Sequence, residues 1–386
     1  MVKVFQKHTE CELIFSYPVT VADRELLKDI FQKKYAKVSL FFGRIYSLER
    51  EFIILLYRAI VEEKQNVDLI VYKARLAKYL RGLGFQPNYY SLFVHDKLKQ
   101  ITQAKQQKLL RHIKENYRSD DEVLDYFFTM VYKKYGYNLR HYKKDMLFRR
   151  LEVFAQKYQM KNWIDAIGYI AQERVFFKNF FLVFSINVTE FFRDPLVFKS
   201  LYELFEGKCK HNTHLRIWSA GCSSGEEAYS LAMLLKLAKL DKHSLIYATD
   251  FNSVVLDEAK NALYGNENLE SLKRNFSIIK QEEVLDSFYV QNRYFFSLSQ
   301  EIREKVLFLE HNLINDASFN EFDIIICRNV LIYFELKLQE SVFKLFYDSL
   351  RFGGYLVLGS SETIVAKYQR NFIVIDENYK IYKKVV

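Results

Sequence analysis

The spacing of apolar positions changes once along the chain, and the change divides it. From about residue 22 to 118, apolar residues recur at helical intervals among good helix formers, as in DRELLKDIFQKKYAKVSLFF (23–42) and REFIILLYRAIVEEK (50–64). A second helical block runs from about Asp121 to Phe205. From Leu215 onward, short apolar runs (LRIWSA, LIYATD, VLFLEHNL, FDIIICRN, GYLVLGS, FIVID) alternate with helical stretches. That alternation predicts βαβ units and an α/β domain with a mainly parallel sheet, preceded by all-α helical domains. FIVID and IYKKVV, joined by ENYK, predict an antiparallel finish to the sheet. The expected domains are 1–118, 119–205 and 206–386. A constant offset of 75 residues lays Phe52, Tyr57, Ile60, Val71, Arg75 and Leu76 on Phe127, Tyr132, Tyr135, Met146, Arg150 and Leu151, so the first block could be a degenerate repeat of the second.

Composition narrows the class. Half of the 386 residues are apolar, enough for more than one core. No apolar run nears the roughly 18 residues that a membrane span needs, and the opening MVKVFQKHTE lacks the apolar stretch of a signal peptide. A cytoplasmic protein is expected. Its four cysteines (Cys11, Cys209, Cys222, Cys327) show no C-x-x-C spacing, so neither a disulfide framework nor a metal site is predicted. Charge is uneven: residues 1–120 hold 22 Lys and Arg against 13 Asp and Glu, and the remainder 35 against 34. The basic third either steers toward an acidic partner or is a set of solvated helix faces.

The most chemical stretch is IWSAGCSSGEEAYS (217–230), an apolar strand entering a glycine-bracketed turn. Gly221 and Gly225 are spaced G-x-x-x-G with no lysine after them, unlike phosphate-cradling loops. Glu226 and Glu227 stand where an anion would sit, which repels phosphate and favours an ammonium. S-adenosylmethionine carries an ammonium and a sulfonium and no phosphate. YATD then ends at Asp250, close to the offset of roughly 20 residues at which dinucleotide folds place a ribose-binding acid. Taken singly, the glutamates could equally complement a helix dipole and Asp250 could cap the next helix.

Seven ordered motifs, KKDMLFRRL (143–151), NVTEFFRD (187–194), SAGCSSGEE (219–227), YATDFN (247–252), HNL (311–313), CRNVLIYF (327–334) and GGYLVLGSSE (353–362), together resemble the CheR-type chemotaxis receptor glutamate methyltransferases. The resemblance covers residues from about 121 to the C-terminus. It implies a Rossmann-like S-adenosylmethionine-dependent domain that esterifies glutamate carboxylates of methyl-accepting chemotaxis receptors and releases S-adenosylhomocysteine. By the same resemblance Asn187, Thr189 and Arg193 lie across the cofactor, with Gly221 in its turn. Glu227 takes the methionyl ammonium, Asp250 the ribose hydroxyls, and Asn312 and Leu313 contact adenine. Asn329 and Val330 close the methionyl side. Arg193 and Tyr333 position the reactants, and Arg149 and Arg150 belong to the family's receptor-reading basic helix. The expected partners are the cytoplasmic domains of those receptors, which alone bring a monomeric enzyme to the membrane.

Departures carry expectations of their own. After Arg150-Leu151 comes EVFAQK rather than further arginines, whereas KARLAKYLRGLGF (73–85) keeps the basic pattern. Receptor reading is therefore expected to be moved to, or shared with, Lys73, Arg75, Lys78 and Arg81. Family members that tether to a receptor's C-terminal pentapeptide carry a small β-subdomain with a glycine-containing hairpin; SFYVQNRYFFSLSQEIREKV (287–306) resembles a shortened form without glycine, which predicts no tethering. GSSE replaces the frequent GHSE, leaving Ser360 at the histidine position. Two other functions compete: a catalytically silent cofactor-binding interaction protein, and a nucleic-acid methyltransferase. CRNV lacks the Asn/Asp-Pro-Pro-aromatic segment of base-modifying enzymes, so no nucleic acid is expected.

Overall fold

A computed structural model of the chain describes all residues except 1, 8–9, 16–20, 34, 43–47, 72–73, 84, 86–87, 90–102, 141, 159, 173–175, 178–179, 181–188, 208, 210–213, 281 and 293–294. The first block is not a helical module. Strands β1 (Lys3–Lys7), β2 (Glu10–Phe15), β3 (Lys37–Phe42), β4 (Val67–Val71) and β5 (Asn88–Tyr89) form a five-stranded sheet in chain order. β1 pairs antiparallel with β2, and every other pairing is parallel. Helices α1 (Val21–Gln32), α2 (Arg50–Tyr57) and α3 (Ala74–Gly82) link successive parallel strands. The helical window 23–42 thus contains a helix and then the strand KVSLFF, because four apolar residues within six positions are too short a stretch for periodicity to separate strand from helix. Leu13, Phe15, Leu40, Phe42 and Val71 of the strands meet Leu27, Phe52, Leu56 and Leu80 of the helices in one core. The 75-residue offset lays β4 on residues 142–146, at a helix start, so the two blocks do not share an architecture.

Helix α4 (Gln103–Asn116) belongs to the next domain, since Ile113 is buried in the same core as α5 (Asp120–Tyr135), α6 (Lys144–Lys157) and α7 (Trp163–Gln172). Ser119 caps α5, its hydroxyl accepting the Glu122 N–H at 3.3 Å, and Gly136 closes that helix at φ 78°. Helix α8 (Pro195–Glu206), expected with the helical block, instead packs Phe198, Leu201 and Phe205 into the core of the C-terminal domain.

That domain is built on a seven-stranded sheet of order β11-β7-β6-β12-β13-β15-β14: β6 (Arg216–Ala220), β7 (Leu245–Asp250), β11 (Val306–Glu310), β12 (Phe322–Cys327), β13 (Leu350–Leu358), β14 (Phe372–Asp376) and β15 (Ile381–Lys384). The first five pair in parallel, and β14 and β15 supply the antiparallel finish that the sequence predicts. β12 is buried at all six residues, which is why FDIIIC reads as a central strand. Helices α9 (Glu226–Leu237), α10 (Ser253–Asn261) and α11 (Leu336–Ser349) cover the sheet. A three-stranded antiparallel subdomain, β8 (Leu263–Gly265), β10 (Phe295–Leu298) and β9 (Tyr289–Gln291), adds a strand that the sequence reading of 287–306 did not include.

This small sheet joins two cores. Tyr264, Phe296 and Leu298 are buried in the C-terminal domain, whereas Leu263 and Phe295 are buried in the N-terminal module. Polar contacts reinforce the junction: Asn261 Nδ2 donates to the Leu48 carbonyl at 2.5 Å, Arg50 donates to Ser297 Oγ, and the Tyr57 and Phe295 rings meet edge to face at 5.1 Å.

Candidate functional site

Chain order reverses at β6, from which one run of strands proceeds to β7 and β11 and the other to β12 and β13. Open α/β sheets bind ligands in the crevice outside the carboxyl ends at such a point. An open cavity lies there, lined by Thr189, Arg193, Gly221, Glu227, Asp250, Asn312, Leu313, Asn329, Val330 and Tyr333, among others. Every predicted cofactor or reactant residue within the described chain therefore reaches one space; Asn187 lies outside the described residues.

The turn after β6 is tightly constrained. Gly221 has φ 80°, and a Cβ there would meet Val330 Cγ2 at 2.6 Å, so this position needs glycine twice over. The adjacent glutamates separate: Glu227 lines the cavity, while Glu226 is buried outside it. Glu227 Oε1 accepts from Ser219 Oγ at 3.0 Å, and Oε2 lies 3.4 Å from Arg328 Nη1. Burial pushes the Glu227 carboxyl above its ordinary value, opposed first by the Arg328 charge. Asp250 is not the cap of the following helix. Asn252 is, its Oδ1 accepting the Val254 N–H at 3.1 Å. Asp250 instead braces two turns, accepting from Ser223 N at 3.0 Å and Asn252 N at 2.9 Å.

The segment carrying Arg193 is tied to the C-terminal domain from several sides. Phe192 N donates to Ser230 Oγ at 2.9 Å, and Asn275 Nδ2 donates to the Phe191 carbonyl at 2.9 Å. Both phenylalanines are fully buried. Arg328, whose side chain is 1% exposed, bridges Asp194 at 2.6 Å and Glu227, linking this segment to the turn after β6. Lys143 N donates to the Tyr333 carbonyl at 3.1 Å, and Tyr142 forms a bridge with Phe334, so the all-α domain grips the strand exit that carries Tyr333.

Sequence reasoning missed Arg328, although CRNV contains it, and Glu362, which lies in the quoted GSSE. The basic residues lie elsewhere. Arg81 is exposed in the last turn of α3, Arg149 is exposed and Arg150 half-buried on α6, and none of them lines the cavity. Lys73 lies outside the described residues, and Arg75 and Lys78 are placed on α3 by backbone only. Cys222 and Cys327 are buried, and burial holds both thiols well above their ordinary value, so neither provides a thiolate.

The donor set suits a cationic nucleoside. The exits of β6 and β7 bear carboxylates, no lysine among the described residues lines the cavity, and Arg328 is already engaged by two acids. Comparison with known proteins agrees. Residues 187–381 match the family "CheR methyltransferase, SAM binding domain", and residues 122–184 match "CheR methyltransferase, all-alpha domain". Methyltransferase Cher3 of Pseudomonas putida is 31% identical over 273 residues, covering 69% of this chain and 98% of the relative. A chemotaxis protein methyltransferase of Listeria monocytogenes is 33% identical over 245 residues (62% of this chain, 89% of the relative). One of Borreliella burgdorferi is 30% identical over 268 residues (66% and 92%).

Proposed function

This chain belongs to the CheR methyltransferase family, as an S-adenosylmethionine-dependent enzyme of chemotaxis, and from that premise we propose how its own residues esterify receptor glutamates. Glu227 holds the methionyl ammonium and Asp250 the ribose hydroxyls. Asn312 and Leu313 meet adenine, and Thr189, Asn329 and Val330 border the methionyl side. Arg193 and Tyr333 line the same cavity, and this observation carries the reading: a guanidinium and a phenol can orient one carboxylate. The bound cofactor supplies a methyl group on a sulfonium, so an O–CH3 bond forms as the S–CH3 bond breaks and no proton moves. A glutamate with a reference pKa near 4.3 is already ionised at neutral pH, and no general base is required. The protein contributes placement, worth up to about 7–11 kcal/mol where reactants are well aligned.

The test is incubation with methyl-labelled S-adenosylmethionine and receptor-containing membranes, reading base-labile methanol. Label that depends on Arg193 supports the reading; equal label from Arg193→Ala overturns Arg193's role.

The finer partner assignments are proposals as well. The enzyme acts as a monomer in the cytoplasm, where the methyl-accepting parts of the receptors lie; among the described residues no helix is long and apolar enough to cross a membrane. Receptor reading is shared between Arg149 and Arg150 of α6 and the basic residues Lys73, Arg75, Lys78 and Arg81. Unchanged methylation after charge reversal of those four would remove the N-terminal module from recognition. No tethering to a receptor's C-terminal pentapeptide is expected, because β9 offers an edge of three residues and Leu263 and Phe295 are taken up by the module's own core. Titration of a receptor tail peptide should show no binding.

A further inference from the structure

After β12 the chain makes a turn whose backbone has few partners of its own. Asn329 has φ 59°, and a short 3-10 turn follows at Leu331–Tyr333. The amides at such a start lack partners within the turn. Here they converge on one side chain from 30 residues away. Glu362 Oε1 accepts from Val330 N at 2.9 Å, Leu331 N at 2.7 Å and Ile332 N at 3.4 Å. Its Oε2 accepts from Asn329 N at 3.1 Å and Gly359 N at 2.7 Å. Glu362 is 5% exposed, so these bonds form away from competing water.

Only a carboxylate fits. It offers two oxygens with about four lone-pair sites and no donor, whereas a glutamine would turn an NH2 toward backbone N–H groups. Gly359 is part of the same device: a Cβ there would meet Glu362 Oε2 at 2.7 Å and Asn329 N at 2.9 Å. Ser360 between them is exposed and lies outside the cavity. The Gly-x-x-Glu of residues 359–362 is thus a receptacle for the turn, and its second position is open to variation.

We propose that Glu362 is a positioning residue for methyl transfer, holding the Asn329–Tyr333 turn so that Asn329 and Val330 meet the cofactor and Tyr333 meets the incoming carboxylate. The inference rests on the roles proposed for those three residues. Glu362 touches neither reactant; it acts through the backbone that carries them.

The experiment is Glu362→Gln in the full chain, with amide hydrogen exchange as the first readout. Exchange at residues 329–332 should rise at least about tenfold relative to Ile324–Ile326 of β12, with kcat at saturating substrates down about 10- to 100-fold and S-adenosylhomocysteine affinity down about tenfold, given the strength of hydrogen bonds to charged groups. A uniform rise in exchange with unchanged kcat would mark a merely structural residue and overturn the proposal. Unchanged exchange at 329–332 overturns it at the turn itself. Local exposure of 329–332 with normal kcat and cofactor affinity overturns it through the assigned roles. If Glu362→Gln does not fold, Gly359→Ala displaces the carboxylate without removing its charge and should give the same local pattern.

Discussion

Two of the sheets among the described residues have helical crossovers, and the cavity lined by the motif residues lies at the second of them. In the N-terminal module the strands add in chain order, β1 to β5, so the sheet has no reversal of strand order. In the C-terminal domain order reverses at β6, and the turns after β6, β7, β11 and β12 open into one cavity. Two non-glycine residues with positive φ, Ser223 and Asn329, line that cavity, and two more, Phe192 and Asp194, flank Arg193; Lys64, Lys239, Ala262 and Lys380 share that conformation elsewhere. The lesson is that βαβ architecture by itself specifies a scaffold, and the connection pattern decides where a site can form.

Four predictions sharpen this contrast. The largest effect is expected from Arg193→Ala, which should lower kcat by about 100- to 1,000-fold, the usual loss for one transition-state donor, with the far-ultraviolet spectrum unchanged. Next, Glu227→Gln should weaken cofactor affinity by about 10- to 100-fold in calorimetric titration, as expected for a charged hydrogen bond. Leu40→Ala, fully buried in the module, should cost about 2–5 kcal/mol in denaturant unfolding, yet leave cofactor affinity at wild-type level. Failure of that separation would mean that the module shapes the crevice directly.

The smallest effect is one of pH. Because burial raises the Glu227 carboxyl, its protonated form is favoured in the folded protein; that stabilisation is present at pH below the ordinary carboxylate value and is lost as the group ionises. Cofactor affinity runs the other way, gained as Glu227 loses its proton. Affinity should therefore begin to fall on acidification while an ordinary glutamate is still ionised, and Glu227→Gln should flatten that profile.

How legible this was in the sequence followed burial. FDIIIC, buried on both faces, announced itself as a central strand, and so did the runs beside it. In ECELIF, Cys11, Leu13 and Phe15 face the core while Glu12 is exposed, yet the helical reading, which begins at about residue 22, gave this strand no element. KVSLFF was absorbed into the helix before it. The cavity was legible because the residues that line it stand in the motifs. Glu362 was not, because its five partners are backbone N–H groups, which leave no trace in residue identity. Arg328 sat within a quoted motif, but its partners Asp194 and Glu227 lie more than 100 residues away, and only the fold brings the three together.

The three-stranded subdomain between the cores has a consequence for how the molecule comes apart. A sheet that contributes Tyr264 and Phe296 to one core and Leu263 and Phe295 to another cannot melt without opening both. Module and methyltransferase domain are thereby coupled into one cooperative unit. Trimming the chain to the segment matched by the family would leave Leu263 and Phe295 facing water, an apolar patch apt to drive self-association.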